Sequence, residues 1–422
     1  MARHSAHSAR SAQSTLSLPR LVLGAFLILV ACASALGLLL TWPSSDPVDT
    51  SEAFETNTSL TGELAKGTVF ALQPGQCNSP AIGTVFSTAP PEDRFAPKDC
   101  THALVDITSG DHAGQRTVLE VHPDLPGSPD LQQGDSILLT HSGQVSPEVA
   151  PTDAPLYAFQ DFQRSSTMWW WLAATVALIV LIGAWRGARS IVGLALTLLM
   201  IVVYLIPSLT HGGSPVTVAL VCGASVLFLV LFLVHGASWK TASALGGTLL
   251  ALGIAVGLSA LAVHSAGIRG LGDENNLNIL LYLPGIDIQG LMLAGMIIGA
   301  LGVLNDVTIA QSSTVTELHE ANPHWSPWDL FQSAMRVGRD HIASMVYTLV
   351  LSYTGVALPM LLLLSTSSRP LEQILTSDVM ATEILRSATG AIALVMAVPL
   401  ATAIAALTVR APQTKPKPQP QA

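Results

Sequence analysis

Charge is what this chain has least of. Only 11% of its 422 residues are Asp, Glu, Lys or Arg, while half are apolar; an ordinary soluble domain carries roughly 25% charged residues. That scarcity excludes a highly charged disordered chain, and the net charge of −9 argues against nucleic acid as a partner. Cysteine is nearly as scarce, with four in all, so this is not a disulfide-dense scaffold. No Gly-Lys dipeptide occurs, which excludes a Walker loop and P-loop ATP chemistry. His319-Glu320-Ala321-Asn322-Pro323-His324 is one residue longer than the zinc-protease helix motif. Five residues turn the second histidine about 140° from the first on a helix, and Pro323 would break that helix. His102, His112, His122 and His141 match no zinc-ligand spacing, and no serine or cysteine sits in a recognisable nucleophile setting. Catalytic residues, a resident metal and a cofactor are therefore not expected.

Long apolar runs are abundant. A membrane-spanning helix needs about 20 apolar residues, and eight stretches qualify: 21–42, 168–185, 190–207, 215–235, 241–263, 288–310, 342–365 and 387–408. The chain is expected to be an α-helical polytopic protein of the plasma membrane, with the lipid bilayer as its first partner. Lys and Arg set the orientation. With the N-terminus inside, eleven of them fall on the inner side: Arg3, Arg10, Arg20, Arg186, Arg189, Lys240, Arg336, Arg339, Arg410, Lys415 and Lys417. Only Arg269, Arg369 and Arg386 fall in short outer loops, so both termini are expected to be cytoplasmic. All eight tryptophans lie at expected span ends or in inner loops, as amphipathic rings should.

Residues 1–20 and 409–422 read as polar cytoplasmic tails. Leu29-Val30-Ala31-Cys32 resembles a lipoprotein box and Ala33-Ser34-Ala35 a signal-peptidase site, but the apolar run continues to Leu40, which favours an uncleaved first span. Residues 43–167 would lie outside. They hold 17 acids and 5 bases, net −12, so the chain's −9 leaves +3 for the rest. Short alternating runs at Gly67–Leu72, Ala103–Thr108, Arg116–Val121 and Asp135–Thr140, bounded by turn residues, predict a small all-β barrel or sandwich, OB-like in type, inserted between the first two spans. Tyr157–Arg164 would seat it on the bilayer beside Trp169–Trp171. Cys77 and Cys100 both lie in this segment, where a disulfide would contribute roughly 3 kcal/mol. Cys32 and Cys222 lie in spans as small apolar residues.

The sixth span carries the chemistry. Leu291–Leu304 is lipid-grade sequence, and then Asn305-Asp306 follows. An acidic group at membrane depth costs on the order of 3 kcal/mol, so it is normally partnered and functional. Gly295, Gly299, Gly302 and Asp306 project onto one face, which would pack against Gly253 and Gly257 of the fifth span. Ser344, Thr348 and Ser352 make a hydroxyl stripe in the seventh span that could donate to Asp306 or bond to its own carbonyls. Pro359 and Pro399 should bend the last two spans. The loop 311–341 is read as the main cytoplasmic connection; within it Ser326-Pro327 starts an amphipathic helix bearing Trp328, Phe331, Met335 and Ile342, with Arg336 and Asp340 paired.

Gly299-Ala300-Leu301-Gly302-Val303-Leu304-Asn305-Asp306-Val307-Thr308, Glu317-Leu318, Ala321-Asn322-Pro323, Gly338–Ser344 and Tyr157–Arg164 resemble the YibE/F-like bacterial membrane proteins, most closely the actinobacterial ones. The likeness spans about residues 150–408. It implies a multi-pass envelope protein and names no activity. The family pattern has Asp-Asp where this chain has Asn305-Asp306, so a paired-carboxylate mechanism is not implied here.

Two readings follow. In the first, the chain is a secondary transporter or permease for a small solute or ion. Asp306 is the coupling group; Asn305, Thr308, Gln311, Glu317, Ser344 and Thr348 line the path, and Arg336, Arg339, Asp340 and His341 form a cytoplasmic gate. In the second, it is a non-transporting envelope protein whose β domain docks a protein partner, with Asp306 paired structurally to Arg336 or Arg339.

Overall fold

The structure, a computed structural model, describes residues 17–87, 98–122, 125–141 and 157–409; the expected tails lie outside them except for residues 17–20, where the first helix already begins at Leu18, and Val409. The chain divides into two compact units, one made of residues 49–178 with 281–284, the other of the remaining segments.

The first unit is built on one antiparallel sheet, ordered β2-β4-β3-β1-β5-β6. Its strands are β1 (Glu63–Gly75), β2 (Val85–Phe86), β3 (Cys100–Ile107), β4 (Arg116–Val121), β5 (Ser136–His141) and β6 (Tyr157–Phe162). All four expected runs are strands. Alternation sends Ala65 and Val69 of β1, Ile137 and Leu139 of β5 and Val105 and Ile107 of β3 into a common core. Register shifts at Val69/Ala71 and Leu138/Leu139 curl the sheet. The Tyr157 N–H donates to the Gly83 carbonyl at 3.0 Å, bringing the far strand back toward β4 and making a half-barrel. Within Tyr157–Arg164, residues Tyr157–Phe162 form strand β6, paired with β5 and anchored by the buried Tyr157 ring.

Among the described residues, seven helices are long and apolar enough to cross a membrane: α1 (Leu18–Leu40), α2 (Ser165–Thr210), α3 (Pro215–His235), α4 (Trp239–Ala266), α5 (Ile288–Ala321), α6 (Pro327–Ser365) and α7 (Asp378–Thr408). The difference from eight arises in α2. Its 46 residues would extend about 69 Å at 1.5 Å each, roughly twice a hydrocarbon core. Ala184, at φ 47°, breaks it, and a Cβ on Gly187 would collide with the Ile179 carbonyl. The expected spans 168–185 and 190–207 are the limbs on either side of this break.

α7 packs on α4, α5 and α6, α5 also packs on α3 and α4, and α1 lies against α3. Of the expected glycines only Gly299 meets a neighbour, a Cβ there lying 3.0 Å from the Tyr353 hydroxyl of α6. Cβ atoms on Gly253, Gly257, Gly295 and Gly302 would meet nothing within 4 Å. On Gly247 a Cβ would lie 2.8 Å from the Ala401 Cα, and on Gly223 2.8 Å from Leu301. A four-residue glycine spacing marks a smooth stripe, but only a neighbour of matching shape decides whether it is used.

α5 runs on to Ala321 and α6 begins at Pro327, so the expected loop 311–341 is helical except for residues 322–326. Leu304, Val307, Gln311 and Val315 are buried at helical spacing across the expected boundary. That stripe, facing protein and not lipid, carries the helix onward. Ser326 and Asp329 form a reciprocal capping box at the start of α6. Its buried stripe is Leu330, Ala334 and Gly338, offset from the expected aromatic face, and Trp328 stacks on Phe331.

Candidate functional site: a polar seam along one span

Within the helical unit, hydroxyl and amide side chains from α4, α5 and α7 meet in a line. Near one end Ser243 and Thr408 hydroxyls are 2.7 Å apart, and the buried Arg20 at the start of α1 donates through Nε to the Thr408 carbonyl at 2.7 Å. Trp239 lies under the same guanidinium. Next come Thr402, whose hydroxyl donates to Gln311 Oε1 at 3.0 Å, and the Thr248–Thr308 pair at 2.6 Å. Ser259 donates to Thr389 farther along. Each hydroxyl of this kind that also back-bonds to its own helix, as Thr248 does to Ala244 and Thr402 to Val398, stays satisfied without solvent.

Three atoms on α5 do not share that satisfaction. Asn305 Oδ1, Gln311 Nε2 and Ser312 Oγ are buried without a hydrogen-bond partner. Gln311 is wholly buried, with Gly338 of α6 so close that a Cβ there would lie 2.9 Å from its amide nitrogen. A buried polar atom left unpaired costs about 1–3 kcal/mol, so a run of them asks for an explanation. Asn305 also lines a cavity of about 260 Å³, shared with Thr197, Ile201, Cys222, Gly223 and Leu301. Ile201 opens a π-helical turn, Ile201–Leu205, in α2, and such turns recur at functional sites.

Asp306 does not join the seam. Its side chain is exposed, on the same face as the unpacked Gly295 and Gly302, and so looks away from the helix interface it was expected to enter. Its electrostatic neighbour is His235 at the end of α3, which also feels Arg186 and Lys240. Ser344 and Thr348 are exposed as well, and Thr348 donates to the Ser344 carbonyl at 3.2 Å in preference to Asp306. Of the residues expected at the gate, Arg336 donates to Ser333 Oγ, Arg339 and Asp340 are exposed and His341 is half-buried, while Glu317 of the expected path is exposed. Among the described residues no ion pair joins them, as expected for long exposed side chains whose pairing gains little over water.

Residues 171–411 match the family described as YibE/F-like protein. The chain belongs to that family. Neither a curated protein nor a solved structure matches it. In this YibE/F-like protein the matched stretch holds the whole seam except Arg20, and it leaves out Tyr157–Arg164, which contains β6, and the rest of the sheet. Of the seam, the sequence had pointed to Asn305, Thr308 and Gln311. Thr248 and Thr402 stand out in no sequence pattern and Ser312 falls in the expected loop 311–341; their only signal is that each falls on the buried stripe of its helix.

At the opposite end of α1 and α2, Ser208 donates to the Thr41 carbonyl at 3.0 Å. His211, just past α2, reaches the Asp46 carbonyl with Nε2 at 2.9 Å and the Pro207 carbonyl with Nδ1 at 2.7 Å. Two carbonyls can only accept, so both bonds form when the ring is protonated, and together they hold its pKa above the ordinary histidine value.

Proposed function

We propose that this YibE/F-like protein is a secondary transporter or permease for a small solute or ion, with the α5 seam as its pathway. It would cross the plasma membrane eight times, with both termini cytoplasmic and residues 43–167 outside. The Arg20–Thr408 bond supports the even count, because it puts the start of α1 and the end of α7 at one end of the helical unit. Seven helices meet that condition if α2 crosses twice, once on each side of Ala184. The excess of Lys and Arg in the loops at that end supports its assignment to the cytoplasm.

The observation that carries the reading is the set of unpaired buried atoms: an acceptor on Asn305, a donor on Gln311 and a hydroxyl on Ser312 within two turns. A translocated species supplies the missing partners in passing, and a site that is only partly satisfied both binds it and releases it. Asn305 would face the solute from the cavity wall, and Asp306 would act at the cytoplasmic mouth beside His235, Arg186 and Lys240. The test is flux of a panel of cations and small neutral solutes into proteoliposomes, comparing wild type with Asn305→Leu and Asp306→Asn. A transporter moves at least one of them, and both variants slow it while remaining folded.

A second reading keeps the seam structural and assigns function to docking by the β unit. The mutual Thr248–Thr308 and Thr402–Gln311 bonds favour it, since they staple helices without needing a ligand. It predicts no flux for any solute and variants that differ only in stability.

A further inference from the structure

The antiparallel register of β3 and β4 pairs Thr101 with Val121, so Cys100 and His122 are the next residues along the two chains. On its other side Cys100 pairs with Gly75, just before the turn that holds Cys77. Three potential ligand atoms are thus drawn together: Cys77 Sγ, Cys100 Sγ and a His122 ring nitrogen lie within 4.8 Å of one another. In this structure the two sulfurs are joined as a disulfide.

The surroundings of His122 go beyond what a structural disulfide needs. Its Nε2 contacts Glu120 Oε1, and its Nδ1 lies 3.2 Å from Cys100 Sγ. Glu120 is mostly buried and is itself fixed, its other oxygen accepting from the Asn78 N–H at 2.6 Å. A carboxylate on Nε2 selects the tautomer that carries its proton there, which turns the Nδ1 lone pair toward the sulfurs. That is how carboxylate–histidine pairs hold a metal-binding ring. A tetrahedral zinc site with Zn–S near 2.3 Å and Zn–N near 2.0 Å has a sulfur–nitrogen edge of about 3.5 Å, and the present 3.2 Å is close to it.

We infer that the reduced β unit holds a zinc ion on Cys77, Cys100 and His122, and that the disulfide is the closed, metal-free state of the same site. A dithiol reduces the disulfide, its two thiols becoming a disulfide as Cys77 and Cys100 each gain a hydrogen. Binding of Zn²⁺ then releases two protons, one from each thiol, and leaves a fourth position for water or an external ligand. Breaking the sulfur–sulfur bond frees Cys77, which lies in a turn, to move while Cys100 stays held in β3.

The experiment uses the full-length protein in detergent, oxidised or reduced by a dithiol and then freed of it without air, titrated with Co²⁺ and back-titrated with Zn²⁺. The reduced protein should gain one equivalent of cobalt with a thiolate-to-cobalt charge-transfer band that zinc removes, and the oxidised protein should show no band. Glu120→Gln, which keeps all three ligands, should weaken zinc binding by about tenfold to a hundredfold, and His122→Asn by at least as much. Oxidised samples of both variants retain the disulfide, so their unfolding midpoints show whether they fold. No band on reduction, or unchanged zinc affinity in folded Glu120→Gln and His122→Asn, overturns the site.

Discussion

The sheet and the helical unit bury polar groups by different rules. In the sheet, ladder hydrogen bonds satisfy the backbone and alternation sends apolar side chains to one core; few polar side chains are buried there, the Tyr157 hydroxyl meeting His112 and Thr117 Oγ1 lying buried without a partner. In the helices the backbone is satisfied within each element, which frees side chains to form a seam of hydroxyls and amides between α4, α5 and α7. The comparison teaches where to look for function. A polar atom left unpaired amid so many paired ones is a stronger pointer than a charge, and Asn305, Gln311 and Ser312 qualify where the exposed Asp306 does not.

The contrast is open to mutation, beginning where the effect is largest. Ile137→Ala, in a wholly buried sheet position, should lower the stability of the β unit by about 2–5 kcal/mol, read from its unfolding transition. In the helices shape should matter more than hydrophobicity. Gly247→Leu forces α4 off the Ala401 backbone and should cost about 1–3 kcal/mol, whereas Gly253→Leu meets open space and should leave the unfolding midpoint within error. If the two glycine variants behave alike, the helix packing described is wrong. Gln311→Met removes an unpaired amide nitrogen at nearly constant volume, and Thr402, which loses the Gln311 oxygen, keeps its bond to Val398. It should be neutral or slightly stabilising, the reverse of a usual buried-polar deletion.

The smallest effect concerns pH. The folded pKa of His211 is raised by the Asp46 and Pro207 carbonyls. Its contribution is therefore complete below the unfolded histidine value and disappears as pH rises through the folded one. His211→Gln should flatten that part of the stability–pH curve, and an unchanged curve would show that the two carbonyl contacts do not form.

Much of this was legible in the residues, for physical reasons. Pro215 and Gly236 punctuate α3, and its span was read to the residue. Turn residues bounded four of the strands, while β2, two residues long, and β6, whose aromatics also suit a bilayer surface, lacked a distinguishing pattern. The expected end of the sixth span at residue 310 marks only where the apolar run stops; the helix continues because Gln311 and Ser312 are buried among protein side chains. Asp306 was misdirected by its glycine face, since periodicity tells which residues share a face and not what covers it. The nearness of His122 to Cys77 and Cys100 depends on strand register, which no spacing in the sequence reveals.

The account rests on the α5 seam being a binding path, and the most direct test is thermal unfolding of wild type, Asn305→Leu and Gln311→Met across a panel of cations and small solutes. A ligand that binds only the native state raises the midpoint by mass action. The account predicts at least one solute or ion that raises the wild-type midpoint and fails to raise that of either folded variant. A ligand that stabilises all three proteins equally, or none that stabilises the wild type, would contradict it.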